Sequence, residues 1–155
     1  MEAAAKIKWK QQLKDACISL LMQRIDTASS AMELAQESAN NAEKSSAGDK
    51  YETSRAMGQL DRDMNAKQLE EAKRELAFLQ SIDVSKICDS AEIGALVECG
   101  QNIFFIVVGL GTVINDEKKV IVLSPSAPLA RIMNGKKTGD SFKMNETLFT
   151  ITGIS

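Results

Sequence analysis

The chain has 155 residues, 44% of them hydrophobic and 26% charged, with a formal net charge of −2. That balance predicts one or two small folded domains, and it excludes both a disordered polymer and an overall basic field that would draw the protein onto nucleic acid. There is no histidine, which excludes Ser-His-Asp and Cys-His catalysis and any His-ligated metal site.

The start, Met1 to Lys10, is rich in Ala and Lys and lacks the apolar core of a signal peptide. The longest apolar run, Ile103 to Leu110, is too short to span a bilayer, so a cytosolic location is expected. Cys17, Cys88 and Cys99 show neither CxxC spacing nor an even count, and they read as buried small hydrophobes.

Residues 6 to about 80 read as helix. Ile18, Leu21, Ile25, Ala28, Met32, Ala35, Ala39 and Ala42 recur at spacings of three and four, a heptad seam that shifts from large residues to alanine. Ser45-Ser46-Ala47-Gly48 is the one stretch of turn chemistry in this half, so an antiparallel helical hairpin is expected, with arms about 45 Å long. Beyond it, Met57, Leu60 and Met64 mark one apolar stretch. Leu69, Ala72, Leu76 and Leu79 mark a second, and the phase slip between them predicts a stutter. Lysines and arginines along both arms, Lys10 and Lys14 among them, alternate with acids and read as coiled-coil surface. An Ala-rich seam also leaves pairing between two chains open.

Asp49 and Glu52 stand at the expected start of the second helix. Asp49-Lys50-Tyr51-Glu52 matches a capping box, in which both acids do nothing but close the helix start. The same two carboxylates at the end of a hairpin can equally carry negative charge into a place that the rest of a protein cannot enter.

From Ile82 the pattern changes. Ile93 to Glu98, Ile103 to Val108 and Lys118 to Leu123 read as strands, Ser126 to Met133 as a short helix with Ser126 as cap and Pro128 in its first turn, and Phe142 to Met144 and Leu148 to Ile154 as closing strands. The fold class predicted is α+β: a coiled-coil hairpin over residues 1–81, then a small antiparallel-sheet domain with one short helix over 82–155, packed near Trp9, Leu13 and Leu79. Gly109-Leu110-Gly111 lacks the third glycine of a dinucleotide fingerprint, and Gly135-Lys136-Lys137-Thr138 lacks the upstream glycine of a P-loop.

Ser124-Pro125-Ser126-Ala127-Pro128-Leu129-Ala130-Arg131, followed by Gly135-Lys136-Lys137-Thr138-Gly139-Asp140, resembles the SPLAR…LGKKxGD segment of the Gre-type transcript-cleavage factors of bacterial RNA polymerase. Gly94-Ala95-Leu96-Val97 is similar to that family's approach to its first C-terminal strand, and Gly48, Asp49 and Glu52 reproduce its tip glycine and two tip acids at the same spacing. Thr53-Ser54-Arg55-Ala56 departs from the family pattern. The resemblance implies an FKBP-like C-terminal domain, with Pro125, Leu129, Arg131, Gly135, Lys136, Lys137, Gly139 and Asp140 as structural or polymerase-docking residues. It also implies that Asp49 and Glu52 are carried down the polymerase secondary channel to help hold a second Mg²⁺ and orient the attacking water. On this reading the chain is a monomeric accessory factor and no enzyme by itself. It holds no metal in isolation and shares Mg²⁺ with the polymerase. It meets nucleic acid only within the elongation complex and touches no membrane. Two alternatives stand beside it: a non-cleaving secondary-channel regulator, inhibitory or Rnk-like, and a coiled-coil interaction module with no polymerase role.

Overall fold

The computed structural model describes residues 2–44 and 48–155, with side chains except at 39, 41–44, 48–52 and 54. Two long helices come first, α1 (Ala3–Lys44) and α2 (Gly48–Ser81). They are followed by β1 (Leu96–Cys99), β2 (Asn102–Ile106), β3 (Gly111–Asn115), β4 (Lys118–Leu123), α3 (Pro128–Met133), β5 (Ser141–Met144), β6 (Thr147–Thr150) and β7 (Gly153–Ile154). The architecture is α+β. The chain divides into two compact units: Met1–Ile18 with Phe78–Ser155, and Ser19–Ala77.

The unit of residues 19–77 is the helix pair. Only three residues separate α1 from α2, which leaves antiparallel packing as the available arrangement. Arg62 Nη1 donates to Gln36 Oε1 at 3.3 Å, and a shallow groove is lined by Met32 and Gln36 on one helix and Arg62 and Ala66 on the other. Leu21, Ala28 and Ala35 are buried on α1, with Ile25 and Met32 half-buried between them, as the heptad spacing predicts. On α2 the buried and half-buried residues of this unit are Gly58, Asn65, Ala66, Leu69, Ala72, Glu75 and Leu76. Met57, Leu60 and Met64 are 64%, 61% and 57% exposed and do not belong to the seam. The apparent slip in phase is therefore a change of face, since the polar Asn65 keeps heptad register with Leu69 and Ala72 while the methionines occupy an outer row. The expected Ser45–Gly48 turn falls at residues 45–47, outside the described residues, and the side chains of Ala39 and Ala42 lie outside them too.

In the other unit the main sheet runs β3-β4-β2-β1-β7. It is mixed, which corrects the expected antiparallel sheet: β2 pairs β4 in parallel, Phe104 opposite Ile121. The reason is a strand that sequence patterning passed over. Gly111–Asn115 forms an edge hairpin with β4, so the chain leaves β2, travels out to the edge and returns beside β2 in the same direction. The β3–β4 and β5–β6 hairpins close through Asp116-Glu117 and Asn145-Glu146, all four residues at positive φ between 51° and 68°, the geometry of type I′ turns.

Val97, Cys99, Phe104 and Ile106 face a core completed by Ala130 and Met133 of α3, Phe142 and Ile151. Phe149 of β6 stacks on Phe142 at 5.3 Å between ring centroids and meets Phe104 edge-on at 6.0 Å, which fastens the β5–β6 hairpin over the sheet. The alternating residues Leu96, Phe105, Val120 and Val122 are also buried, as are Trp9, Leu13, Cys17 and Leu79. Lys118 Nζ stands 5.3 Å from the Trp9 ring centroid, so the first turns of α1 lie against this sheet. Complete burial of one such Leu or Phe side chain stabilises the fold by roughly 1.5–3 kcal/mol.

Candidate partner-binding site

The α3 segment is built by its own sequence. Ser124 O accepts from Ala127 N at 3.1 Å, and Ala127, at φ −61° and ψ 145°, turns the chain into a helix whose N1 position holds Pro128. The proline suits that position, because its fixed φ is helical and its missing N–H would have no helical partner there. Ser126 is not the cap expected of it. Its hydroxyl exchanges a 3.0 Å hydrogen bond with Ser124 Oγ, and Ala127 occupies the N-cap without a side-chain bond.

After α3, Gly135 takes φ +79°, and Lys136 N donates to Met133 O at 3.0 Å, ending the helix. The next residues are clamped from two sides. Gly135 N donates to Ala91 O and Ala91 N to Lys136 O, both at 2.8 Å. Lys137 N donates to Asp140 Oδ2 at 2.8 Å, and Asp140 N returns a bond to Lys137 O at 2.9 Å. Gly139, at φ +95°, and Asp140 pair with Ile151 through Gly139 N→Ile151 O and Ile151 N→Asp140 O.

These bonds sort the eight docking residues implied by the family resemblance. Gly135, Gly139 and Asp140 shape the turn. Leu129 packs on the core cluster, and Pro125 is half-buried at the end of β4. The side chains of Arg131 and Lys137 are exposed and that of Lys136 is half-buried, so the segment displays three cations from a rigid frame. Arg131 lies in the last turn of α3, where its charge also suits the helix dipole.

Asp49 and Glu52, the acids singled out from the sequence, lie one helical turn apart at the start of α2. Their side chains are outside the described ones. Among the described residues, no group of three or more His, Cys, Asp or Glu side chains is arranged to hold a metal ion, and no helix is long and apolar enough to cross a membrane.

Two lysines read as surface from the sequence have defined structural partners. Lys10 is 0% exposed, and its Nζ lies 3.0 Å from Lys86 O, 3.2 Å from the main-chain oxygen of Ser155 and 3.9 Å from Cys88 Sγ. Burial lowers the pKa of this amine, while Cys88 and then Asp83 partly oppose that effect. Burial raises that of the Cys88 thiol, which Lys10 opposes. Lys14 Nζ lies 2.7 Å from Ile82 O and 3.4 Å from Gln80 O. The last turn of α2 has no basic residue of its own, so Lys14 supplies from α1 the cation that this carbonyl end attracts. A signal for Lys10 was present in the sequence: carried back from Cys17 and Leu13, the apolar stripe arrives at residues 9 and 10.

No family model, characterised protein or solved structure matches the chain.

Proposed function

We propose that the chain is an accessory factor of bacterial RNA polymerase of the Gre type, with an FKBP-like C-terminal domain, acting in the cytoplasm where the polymerase works. The observation that carries the reading is a pairing in one chain. A helical hairpin whose second helix opens with Asp49 and Glu52 accompanies a sheet domain in which the SPSAPLAR and GKKTGD segments form one rigid helix-and-turn displaying Arg131, Lys136 and Lys137.

The chemistry divides between the two parts. The α3 segment and its turn offer a preshaped, cationic docking surface, so little ordering cost falls on binding. The tip offers two carboxylates, hard oxygen donors of the kind Mg²⁺ accepts one or two at a time while keeping several waters. Bound Mg²⁺ would supply an activated water and charge stabilisation at the scissile phosphate. Asp49 and Glu52 would hold the ion and orient that water. The nuclease activity belongs to the polymerase, and this chain contributes ligands to it.

The test is a stalled elongation complex scored for 3′ shortening of its RNA. The unmutated protein is expected to stimulate shortening, and Asp49→Ala with Glu52→Ala to abolish it while binding persists. Undiminished cleavage by the double variant would refute the role of the acids. One observation favours a second reading, a non-cleaving channel regulator: Thr53-Ser54-Arg55-Ala56 departs from the family pattern immediately after the acids. Polymerase binding by the unmutated protein without any shortening would select it.

A further inference from the structure

We propose that Lys10 and Cys88 form an oxidation-sensitive covalent latch, an N–O–S bridge between amine and thiol. The two atoms that would join through one oxygen are 3.9 Å apart, Lys10 is 0% exposed and Cys88 3%. The amine is held on the sulfur by the main-chain oxygens of Lys86 and Ser155. Nζ donates to Cys88 Sγ as well as to the two oxygens, the thiol is also hydrogen-bonded to Glu92, and loss of one proton from Nζ leaves an uncharged amine in the same place. Burial favours that uncharged form, and it is the form whose nitrogen can be oxidised. Among the described residues, neither Cys17 nor Cys99, both buried, has a lysine amine at hydrogen-bonding distance. Cys88 is therefore the one of the three placed for this chemistry.

The oxidant is hydrogen peroxide, two molecules per bridge. The first breaks its O–O bond on sulfur: the thiol becomes a sulfenic acid, losing two electrons, and its proton leaves in water. The second oxidises the amine by two electrons to a hydroxylamine, again releasing water. The hydroxylamine oxygen then attacks the sulfenic sulfur, the S–OH bond breaks, and a third water leaves. The product ties α1 to the stretch between α2 and β1 across 78 residues of sequence. A cross-link of that span restricts the unfolded chain more than the folded one.

The experiment treats the purified protein with hydrogen peroxide, digests it and maps the peptides by mass spectrometry. The expected product is a peptide pair joining Lys10 to Cys88, heavier than the sum of the two by about 14 Da and separated again by dithiothreitol. It is expected to be absent from Lys10→Arg and Cys88→Ser. The melting temperature of the unmutated protein should rise on oxidation and return on reduction, and that of Lys10→Arg should not. Recovery of Cys88 from the unmutated protein only as free thiol, sulfinic or sulfonic acid, or disulfide overturns the proposal, and this readout does not depend on whether either variant folds.

Discussion

At the scale of single residues, the buried titratable groups fix how stability responds to pH. Cys17 is 0% exposed, and burial pushes its thiol from the ordinary 9.0 up to about 11. Between those values the folded chain keeps a proton that the unfolded chain has released, so stability falls as pH rises through that window. The loss from this group is about 2–3 kcal/mol once pH exceeds the folded value. Cys17→Ala is expected to flatten the pH 9–11 part of a urea-midpoint profile, and an unchanged slope would contradict the assignment. Lys10 acts with the opposite sign. Its folded pKa is lowered from 10.5, so the unfolded chain binds more protons as that window is crossed and stability is gained as pH rises. Lys10→Met takes from Lys86 O its lysine donor and from Ser155 O one of two donors, Leu96 N remaining. It is expected to cost about 2–4 kcal/mol by urea denaturation at neutral pH.

At the scale of elements, exposure and backbone geometry separate residues that composition groups together. Met57, Leu60 and Met64 look like seam in the sequence, yet they are exposed, whereas Leu21 is buried. Changing all three to Gln is expected to shift stability by no more than about 0.5 kcal/mol at each site. Leu21→Ala is expected to cost about 2–4 kcal/mol. Chemical denaturation of the two variants checks both. The hairpin turns offer a stabilising test. Glu117 and Glu146 occupy φ +63° and +68°, where a side chain costs roughly 1 kcal/mol relative to glycine, so Glu117→Gly and Glu146→Gly should each raise the melting temperature. The helices and the Lys118–Leu123 strand were legible because their spacing and β-branched content are local properties. Gly111–Asn115 was not, because a short edge strand that opens on glycine carries no alternating pattern. Parallel pairing of β2 with β4 was equally hidden, since it follows from the partner across the sheet.

At the scale of the whole molecule, the candidate site was legible in part. Gly135, Gly139 and Asp140 could be recognised as turn residues, and the structure gives each a specific main-chain role. The apolar stripe through Cys17 and Leu13 reaches Lys10, but the partners of Lys10 and of half-buried Lys14 are carbonyls more than sixty residues away and have no local signal. The proposed docking surface consists of the cations that the α3 segment displays. Arg131→Ala with Lys137→Ala removes two exposed cations and no described structural bond, so it is expected to weaken polymerase binding while leaving the melting temperature within a few degrees of its original value. A shared loss of both would show the segment to be structural only. The most direct measurement of the central claim is association with bacterial core RNA polymerase, followed by co-elution in gel filtration at moderate salt. On the Gre-type reading, the unmutated protein and the Asp49→Ala, Glu52→Ala variant both co-elute with the polymerase. Separate elution of the unmutated protein would contradict it.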